Sequence, residues 1–298
     1  MLEARLGEIA ALLAALCWTF GALGFEIACK RSSSLAVNWI RLSLGFIFLC
    51  ILALFSRGLP LPTDASSHAW LWLALSGLVG FTLGDMLLFR AFAVLGARIS
   101  MLVMSAVPPF TAVIGWIVLG ETLTPLNLVG MALTVTGIVL VVLDRGDGES
   151  GRKLAHPVAG VLMAVGAAAG QSIGLVLSKL GMGDYYPMAA TQIRLIAGIL
   201  GFSLIFSVTK RWASVWSAVR DKITIKFSII GALLGTALGV TLSLVAVQNT
   251  VAGVASTIMA IVPVLIIPPA ILFMKEKVTV KEIVGAFIAV VGVGILFL

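Results

Sequence analysis

Long apolar runs alternate with short polar loops along the whole of this 298-residue chain. An α-helix needs about 20 mostly apolar residues to cross a bilayer. Each run is continuous rather than alternating in polarity, which excludes a transmembrane β-barrel. The pattern therefore predicts an all-α membrane protein with ten transmembrane helices. Their predicted bounds are 7–28, 35–56, 69–92, 97–119, 125–143, 157–179, 187–209, 226–247, 252–274 and 279–298.

The second half of the sequence repeats the first. Residues 97–143 align without a gap with residues 252–298, so that Pro108 falls on Pro263. A proline inside an apolar run interrupts the helix that contains it, and recurrence at the same place in both copies argues against chance. The two prolines predict equivalent kinks in spans 4 and 9. Such kinks free backbone carbonyls, and we take them as candidate gating positions.

The first part of each repeat also aligns, with Arg41 on Arg194. The alignment predicts two domains, residues 1–150 and 151–298, with five spans each. Because five is an odd number, the two repeats must have opposite orientations in the membrane. Inverted repeats of this kind are typical of secondary transporters, in which the substrate site lies near the membrane midplane at the repeat interface.

Composition supports a membrane protein, because 60% of residues are hydrophobic and 11% are charged, against roughly 25% charged in soluble domains. The formal net charge of +7 is carried by loops, so it indicates contact with lipid head groups and not with nucleic acid. The sequence contains no metalloprotease, nucleophile-elbow or Walker-type motif. It therefore predicts no enzyme activity, no cofactor and no metal site, and transport driven by gradients rather than by nucleotide hydrolysis.

Loop charges predict the orientation. Three basic residues, Arg5, Arg57 and Lys179, lie on the side of the N-terminus, whereas fourteen lie on the other side. Lys and Arg concentrate in cytoplasmic loops, so both termini are predicted to be non-cytoplasmic in a multi-pass protein of the plasma (inner) membrane. The most basic loop, 210–226, also contains two tryptophans. We expect it to form a short amphipathic helix on the inner leaflet.

Glycines mark two candidate helix contacts. Span 6 carries Gly166, Gly170 and Gly174, and span 8 carries glycines at the same spacing at 231, 235 and 239. Small residues spaced by four let transmembrane helices approach closely. The pattern predicts tight contacts for both spans, which are either static packing or seams along which one helix bundle slides past the other.

Several motifs resemble the EamA-type permeases of the drug/metabolite transporter superfamily. They are Leu-Gly-Glu-Thr-Leu-Thr-Pro at 119–125, Gly-Asp-x-x-x-x-Arg-Ala at 84–91, Leu-Gly-Ala at 95–97 and an arginine early in the second span of each repeat. The resemblance covers nearly the whole chain and implies a ten-span permease for the efflux of amino acids, other metabolites or drugs. The chain departs from the family in its second turn, where Lys-Glu-Lys replaces Gly-Glu-Thr, and in its predicted orientation.

In this family the first span of each repeat lines the central cavity. The resemblance therefore implies pocket residues on spans 1 and 6. These are Trp18 and Thr19 in the first repeat and the equivalent Gln171 and Ser172 in the second.

Charged residues inside spans are costly and are functional hypotheses by default. Asp85 lies deep in span 3, and its repeat equivalent is Val240. Asp85 is either a proton carrier or a counter-charge for the substrate, or it is a fixed ion partner of Arg90, Arg41 or Arg194. Arg41 and Arg194 could each bind a substrate carboxylate through paired N–H donors. Alternatively, they interact with lipid phosphates or with helix-end carbonyls.

Charged residues near the ends of spans allow further interpretations. Glu26 and its equivalent Lys179 either rim the two mouths of the pathway or are ordinary interfacial charges. Glu121 and Glu276 are each followed three residues later by a threonine. We expect these glutamates to cap the span that follows.

We therefore expect a secondary-active transporter that exports amino acids or related small metabolites or drugs by alternating access. A flippase of a lipid-linked substrate and a non-transporting membrane scaffold stay open as alternatives. The expected partners are a small-molecule substrate and membrane lipid, with protons as a candidate coupling ion. The sequence leaves both a monomer and a homodimer open.

Overall fold

The computed structural model describes residues 6–119, 123–142, 157–183, 185–249, 258–276 and 278–296. All the regular elements in these ranges are helical. The α-helices are α1 (Leu6–Arg31), α2 (Ser34–Arg57), α3 (Ser67–Gly77), α4 (Asp85–Leu95), α5 (Ala97–Met104), α6 (Val107–Leu119), α7 (Pro125–Val142), α8 (Val158–Met182), α9 (Pro187–Thr209), α10 (Trp212–Arg220), α11 (Lys222–Gly231), α12 (Val240–Asn249), α13 (Val262–Leu265), α14 (Ile267–Met274) and α15 (Val280–Leu296).

Eight helices in the described ranges are long and apolar enough to cross a membrane, which makes the chain a multi-pass membrane protein. They correspond to the first eight predicted spans. The predicted spans 252–274 and 279–298 reach into residues outside the described ranges. Their described parts are the apolar helices Val262–Met274 and Val280–Leu296.

A π-helical segment interrupts the third span of each repeat. Leu78–Gly84 joins α3 to α4, and Ala232–Gly239 joins α11 to α12. The two segments fall on each other in the repeat alignment, although nothing in the apolar pattern predicted them. A π-helical turn shifts the hydrogen-bond register and is often found at functional sites. Here it leaves backbone carbonyls available to side chains of neighbouring helices.

Glycine seams hold the spans together across the two repeats. A Cβ atom placed on Gly21 of α1 would lie 2.9 Å from Cα of Gly235, and one on Gly174 of α8 would lie 3.0 Å from Cα of Gly80. Gly174 is the repeat equivalent of Gly21, and Gly235 is that of Gly80. The repeat symmetry therefore converts each contact into the other. The close approach predicted for spans 6 and 8 is confirmed.

Helices α7 and α15, the last of each repeat, pack against each other in antiparallel directions. Gly130 lies against Gly292, and Gly137 lies against Gly285. Gly130 is equivalent to Gly285 and Gly137 to Gly292, so these contacts are also exchanged with the repeats. An operation that exchanges two antiparallel helices is a two-fold rotation about an axis perpendicular to them.

The predicted interruptions at the prolines are confirmed. Span 4 breaks between α5 and α6, and Pro108 lies in the first turn of α6. In the second repeat Pro263 lies in the first turn of α13, and α14 begins with two further prolines. Proline is accommodated at a helix start because the N–H that it lacks has no intrahelical acceptor there.

The capping prediction for Glu276 is wrong. Thr279 and Glu282 form a reciprocal cap on α15, with the Thr279 N–H donating to Oε2 of Glu282 at 2.7 Å and the Glu282 N–H donating to Oγ1 of Thr279 at 3.3 Å. Thr124 and Asn127 make the equivalent cap on α7. The threonines cap these helices by reaching forward. Glu276 instead pairs with an arginine described below, and Glu121 lies outside the described residues.

The basic loop forms a helix as expected. In α10, Val215 and Ala218 are buried against the protein, whereas Trp216 is 63% exposed. The Trp212 ring packs edge-on against Trp39 at 5.5 Å between centroids. Helix α10 therefore presents one face to the helix bundle and one aromatic side chain outward, a distribution that suits a membrane surface.

Candidate functional site

Asp85 is the first residue of α4, directly after the first π-helical segment, and is only 3% exposed. Arg41 of α2 donates a hydrogen bond from Nη2 to Oδ2 of this carboxylate and forms an ion pair with it. Of the three arginines considered from the sequence, Arg41 is thus the one that pairs with Asp85. The pair joins the second and third spans of the first repeat.

Gln171 of α8, in the second repeat, contacts the same carboxylate. Its Nε2 donates to Oδ1 of Asp85 at 2.6 Å and to the carbonyl of Gly80 at 3.3 Å. Both oxygens of Asp85 therefore accept a hydrogen bond, one from each repeat. The amide also satisfies a carbonyl in the π-helical segment, so this side chain connects the carboxylate to the distorted backbone.

Arg41 has further partners that the sequence did not reveal. Its Nε donates to Oδ1 of Asn38 at 3.1 Å, and its Nη1 donates to Oγ1 of Thr236 at 3.4 Å. The guanidinium carbon lies 5.0 Å from the ring centroid of Phe89 and 5.8 Å from that of Phe81. Cation–π contacts of this kind stabilise a desolvated cation. Asn38, in the second turn of α2, is fully buried in this cluster.

Arg194, the repeat equivalent of Arg41, has a different environment. Its guanidinium carbon lies 4.6 Å from the centroid of Phe81, and Phe81 is the repeat equivalent of Thr236. The two arginines therefore contact equivalent positions. Within the described part of the chain, however, Arg194 has no hydrogen bond or ion pair through its side chain, and its Nε is buried without a partner.

Trp18 mirrors Gln171. Its Nε1 donates to the carbonyl of Gly235 at 3.1 Å, and Gly235 is the repeat equivalent of Gly80. Each first span of a repeat thus supplies one side-chain donor to the π-helical segment of the other repeat. The sequence placed these two residues in a pocket, and the structure places both at the contact between repeats.

Thr19 and Ser172 are buried and bond to their own helices. Thr19 Oγ1 donates to the carbonyl of Ala15 at 2.8 Å, and Ser172 Oγ lies 2.8 Å from that of Ala168. Ser172 Oγ also lies 3.0 Å from the carbonyl of Val107, at the interruption of span 4. Ser172 therefore reaches the broken helix next to Pro108.

A second charged cluster lies where α1, α5 and α15 meet. Arg98 of α5 donates from Nε to Oε2 of Glu276 at 2.8 Å, and its Nη1 lies 2.9 Å from Oε2 of Glu282. Glu26 of α1 accepts the N–H of Ala97 at 2.6 Å. The sequence did not single out Arg98, because a basic residue at the start of a span is usually an ordinary loop charge.

One of the two interpretations of Glu26 is not met in this structure. Glu26 is fully buried and pairs with Lys30, so it does not rim an open mouth in this conformation. Its carboxylate ties α1 to the first turn of α5, where unpaired backbone N–H groups favour a negative charge. The equivalent Lys179 is exposed.

The chemistry of the described residues is that of ion pairs and hydrogen bonds. The ranges that the structure covers contain no group of three or more His, Cys, Asp or Glu side chains that could hold a metal ion. Cys17, Cys29 and Cys50 are free thiols. The arrangement can bind charged or polar groups, and it can take up or release a proton at a carboxylate.

Comparison with known proteins decides the family. The sequence description of the EamA-like transporter family matches residues 5–143 and, a second time, residues 158–298. The chain belongs to the EamA-like transporter family. EamA-like proteins transport small solutes across membranes, and each copy of the family region corresponds to one of the two repeats.

One curated relative of this EamA-like chain is the human protein "Solute carrier family 35 member G1", which is 26% identical over 150 residues. The aligned region covers 48% of this chain and 40% of the human protein, so the chain matches less than half the length of that relative. A solved structure titled "Crystal structure of protein" superimposes with a TM-score of 0.67 at 18% identity and covers 97% of this chain and 95% of its own. That likeness shows the fold.

Proposed function

We propose that this EamA-like protein is a secondary-active transporter that exports amino acids or related small metabolites or drugs by alternating access. The proposed architecture has ten spans in two inverted repeats, residues 1–150 and 151–298, with both termini outside the cytoplasm and the chain in the plasma membrane. The antiparallel packing of α7 on α15 supports inverted repeats, because helices exchanged by the repeat symmetry run in opposite directions.

The observation that carries this proposal is the Asp85 carboxylate, held by Arg41 from one repeat and Gln171 from the other. Charged groups at membrane depth are costly and mark substrate or ion pathways. A carboxylate shared by two repeats is able to respond to their relative movement. We place the translocation site around it, at Trp18, Thr19, Arg41, Asp85, Gln171, Ser172 and Arg194.

Access to this site is closed from the end where Arg98 lies. Arg98 links the start of α5 to Glu276 and Glu282, and Glu26 links α1 to the same helix. Separating these groups would open that end. The interruptions at Pro108 and Pro263 are the proposed hinges, because a broken helix bends without losing further hydrogen bonds.

The name of the human relative supports a solute as the cargo. We propose protons as the coupling ion, with Asp85 as the carrier, because protonation would release Arg41 and Gln171 and so weaken the contact between the repeats. Protons that enter the cell would then drive the solute out of it, which lowers the intracellular concentration of the solute.

The test is flux in everted membrane vesicles with a panel of radiolabelled amino acids and amphipathic drugs, with and without an imposed pH gradient. We expect saturable accumulation of at least one solute, dependent on the gradient. Asp85→Asn should abolish the gradient dependence, and Arg220→Gln, an exposed charge at the end of α10, should leave it unchanged.

Three outcomes would contradict the proposal. Normal gradient-dependent flux in the Asp85→Asn variant would remove the proton role. Movement of fluorescent lipids between leaflets without solute flux would indicate a flippase. A folded protein that moves neither solute nor lipid would indicate a membrane scaffold.

A further inference from the structure

The repeat symmetry gives the protein two equivalent arginines and one acid. Arg41 and Arg194 occupy equivalent positions in α2 and α9. Arg41 pairs with Asp85, which lies one span further along the same repeat. The position equivalent to Asp85 in the second repeat is Val240, which has no charge to offer. The second repeat therefore offers Arg194 no acid at the position from which Asp85 pairs with Arg41.

Asp85 attracts Arg194 only at longer range, without a hydrogen bond or ion pair between them. Its Oδ2 accepts from Arg41 and its Oδ1 accepts from Gln171, so the donors that its oxygens have are not those of Arg194. In the part of the chain that the structure describes, Arg194 makes no hydrogen bond or ion pair, and its Nε is buried without an acceptor. The central cluster of two guanidinium groups and one carboxylate carries a net charge of +1.

A guanidinium without hydrogen-bond acceptors is costly inside a membrane protein, because the group has lost its hydration and gained no acceptor in exchange. We therefore infer that Arg194 gains an acceptor in another state of the transport cycle. The group that would compensate Arg194 is an anion, and for a transporter the available anion is part of the solute.

We propose that Arg194 binds the anionic group of the transported solute, a carboxylate or a phosphate, and that this protein therefore selects anionic or zwitterionic solutes over neutral ones. The inference rests on the proposed transport function and assigns the polar end of its substrate. Arg41 is already paired with Asp85 and has no part in this selection.

The surroundings of Arg194 suit this role. Phe81 contacts the guanidinium as a π-system at 4.6 Å, a contact that uses none of its N–H donors. A guanidinium binds oxyanions through two parallel N–H bonds. Nε together with one Nη would supply such a pair in the open conformation, since Nε is buried in this one.

Gly80 lies beside the Arg194 guanidinium, where the first π-helical segment packs against α8. A Cβ atom at that position would lie 3.5 Å from Nη2 of Arg194 and 3.8 Å from Oε1 of Gln171. It would also lie 3.7 Å from Cα of Gly174, so Arg194, Gln171 and the glycine seam meet at this position. The anion would thus lie between the second span of the second repeat and the π-helical segment of the first.

The experiment measures binding to the purified full-length protein in detergent by tryptophan fluorescence at constant ionic strength. The probes are benzoate, phenyl phosphate and benzamide, which share one ring and differ in the head group. We expect benzoate or phenyl phosphate to bind at least tenfold more tightly than neutral benzamide. The anion that binds more tightly identifies the carboxylate or the phosphate as the recognised group.

Two arginine variants and a charge control test the assignment. Arg194→Gln should raise the Kd for the anionic probe at least tenfold. Arg194→Lys keeps the charge but loses the paired donors, so it should raise the Kd by a smaller factor. Arg220→Gln removes one exposed positive charge elsewhere and should leave the Kd unchanged.

Val240→Asp supplies the missing counter-charge and should abolish anion binding, whereas Val240→Asn should not. This pair tests the idea through a residue other than the arginine, which keeps it testable even where Arg194→Gln does not fold.

Equal binding of benzoate, phenyl phosphate and benzamide would overturn the inference, as would wild-type anion affinity in the Arg194→Gln or Val240→Asp variant. Failure of the transport proposal would look different. A protein that binds the anion through Arg194 but moves no solute in vesicles would refute transport and leave the anion site standing. A protein that transports neutral and anionic solutes alike would refute the anion site and leave transport standing.

Discussion

Trp18 and Gln171 occupy equivalent positions in the two repeats, and each donates a side-chain hydrogen bond to an equivalent glycine carbonyl in the opposite repeat. The acceptors, Gly235 and Gly80, lie in the two π-helical segments. An indole and an amide share no chemistry except an N–H donor, so the donor is what the fold requires here. The amide has a second use, because it also reaches Asp85.

This relationship predicts unequal costs for removing the two donors. Trp18→Phe removes one hydrogen bond and should lower the free energy of unfolding by about 1 kcal/mol. Gln171→Leu also leaves one oxygen of the buried Asp85 without a donor, so the loss should approach about 3 kcal/mol. SDS titration of the purified protein in micelles measures both values. Equal decreases in the free energy of unfolding would mean that the hydrogen bond from Gln171 to Asp85 does not contribute to stability.

The Arg41–Asp85 pair predicts strong coupling in a double-mutant cycle. Removing one partner of a buried ion pair costs about 3–5 kcal/mol, because the other charge is left alone, whereas replacing both by apolar residues is close to neutral. Arg41→Met and Asp85→Leu should each destabilise by that amount, and the double variant should recover most of it. The same SDS titration measures the cycle, and additive losses would refute the coupling.

The glycine seam between α8 and the first π-helical segment predicts a contrast along one helix. A Cβ atom on Gly174 would lie 3.0 Å from the backbone of Gly80, so Gly174→Ala must push two helices apart. A Cβ atom on Gly166 would meet only the flexible end of Leu87. We expect Gly174→Ala to lower the melting temperature in detergent by several degrees and Gly166→Ala to leave it almost unchanged. Similar shifts would show that the seam adapts without strain.

The Arg98 cluster predicts a change in access to α1. Arg98→Gln removes both ion pairs that fix the start of α5 and should let the bundle open at that end. Cys29 is buried next to this region, at 5% exposure. With the other two cysteines replaced by serine, its labelling by a membrane-impermeant maleimide should become several-fold faster. Arg220→Gln serves as the control, and unchanged labelling in Arg98→Gln would show that these pairs do not close the end.

Asp221, which caps α11, predicts an acid-dependent term in stability. The Thr224 hydroxyl donates to its carboxylate at 2.8 Å and, with Arg31, lowers its pKa below the usual value. A group with a depressed folded pKa stabilises the protein above its unfolded pKa of about 3.9 and loses that contribution as the pH falls through the folded value. Wild type should therefore be more stable than Asp221→Asn at pH 7, and the difference should vanish at strongly acidic pH. Thermal melts of both proteins across the pH range measure this stability difference. If the difference persisted unchanged at low pH, it would not arise from the Asp221 carboxylate.

The sequence predicted the helical fold and the repeats because both are encoded locally. Continuous apolar runs report bilayer-crossing helices whatever their neighbours, and the recurrence of Pro108 at Pro263 reports the duplication directly. The same recurrence placed the interruptions of spans 4 and 9. It also identified Asp85 and the two arginines as intramembrane charges, since their cost is a property of depth and not of the partner.

The partners of those charges could not be predicted, because they come from helices far apart in the chain. Whether Asp85 pairs with Arg41 or with Arg194 depends on which spans approach it, and glycine contacts between the repeats decide that. The π-helical segments escaped detection because a register shift of the backbone hydrogen bonds leaves the apolar pattern unchanged. The sequence by itself determined the spans, the duplication and the position of Asp85. Only the packing of the repeats decided that Arg41 forms an ion pair with Asp85 and that Arg194 has no hydrogen bond or ion pair among the described residues.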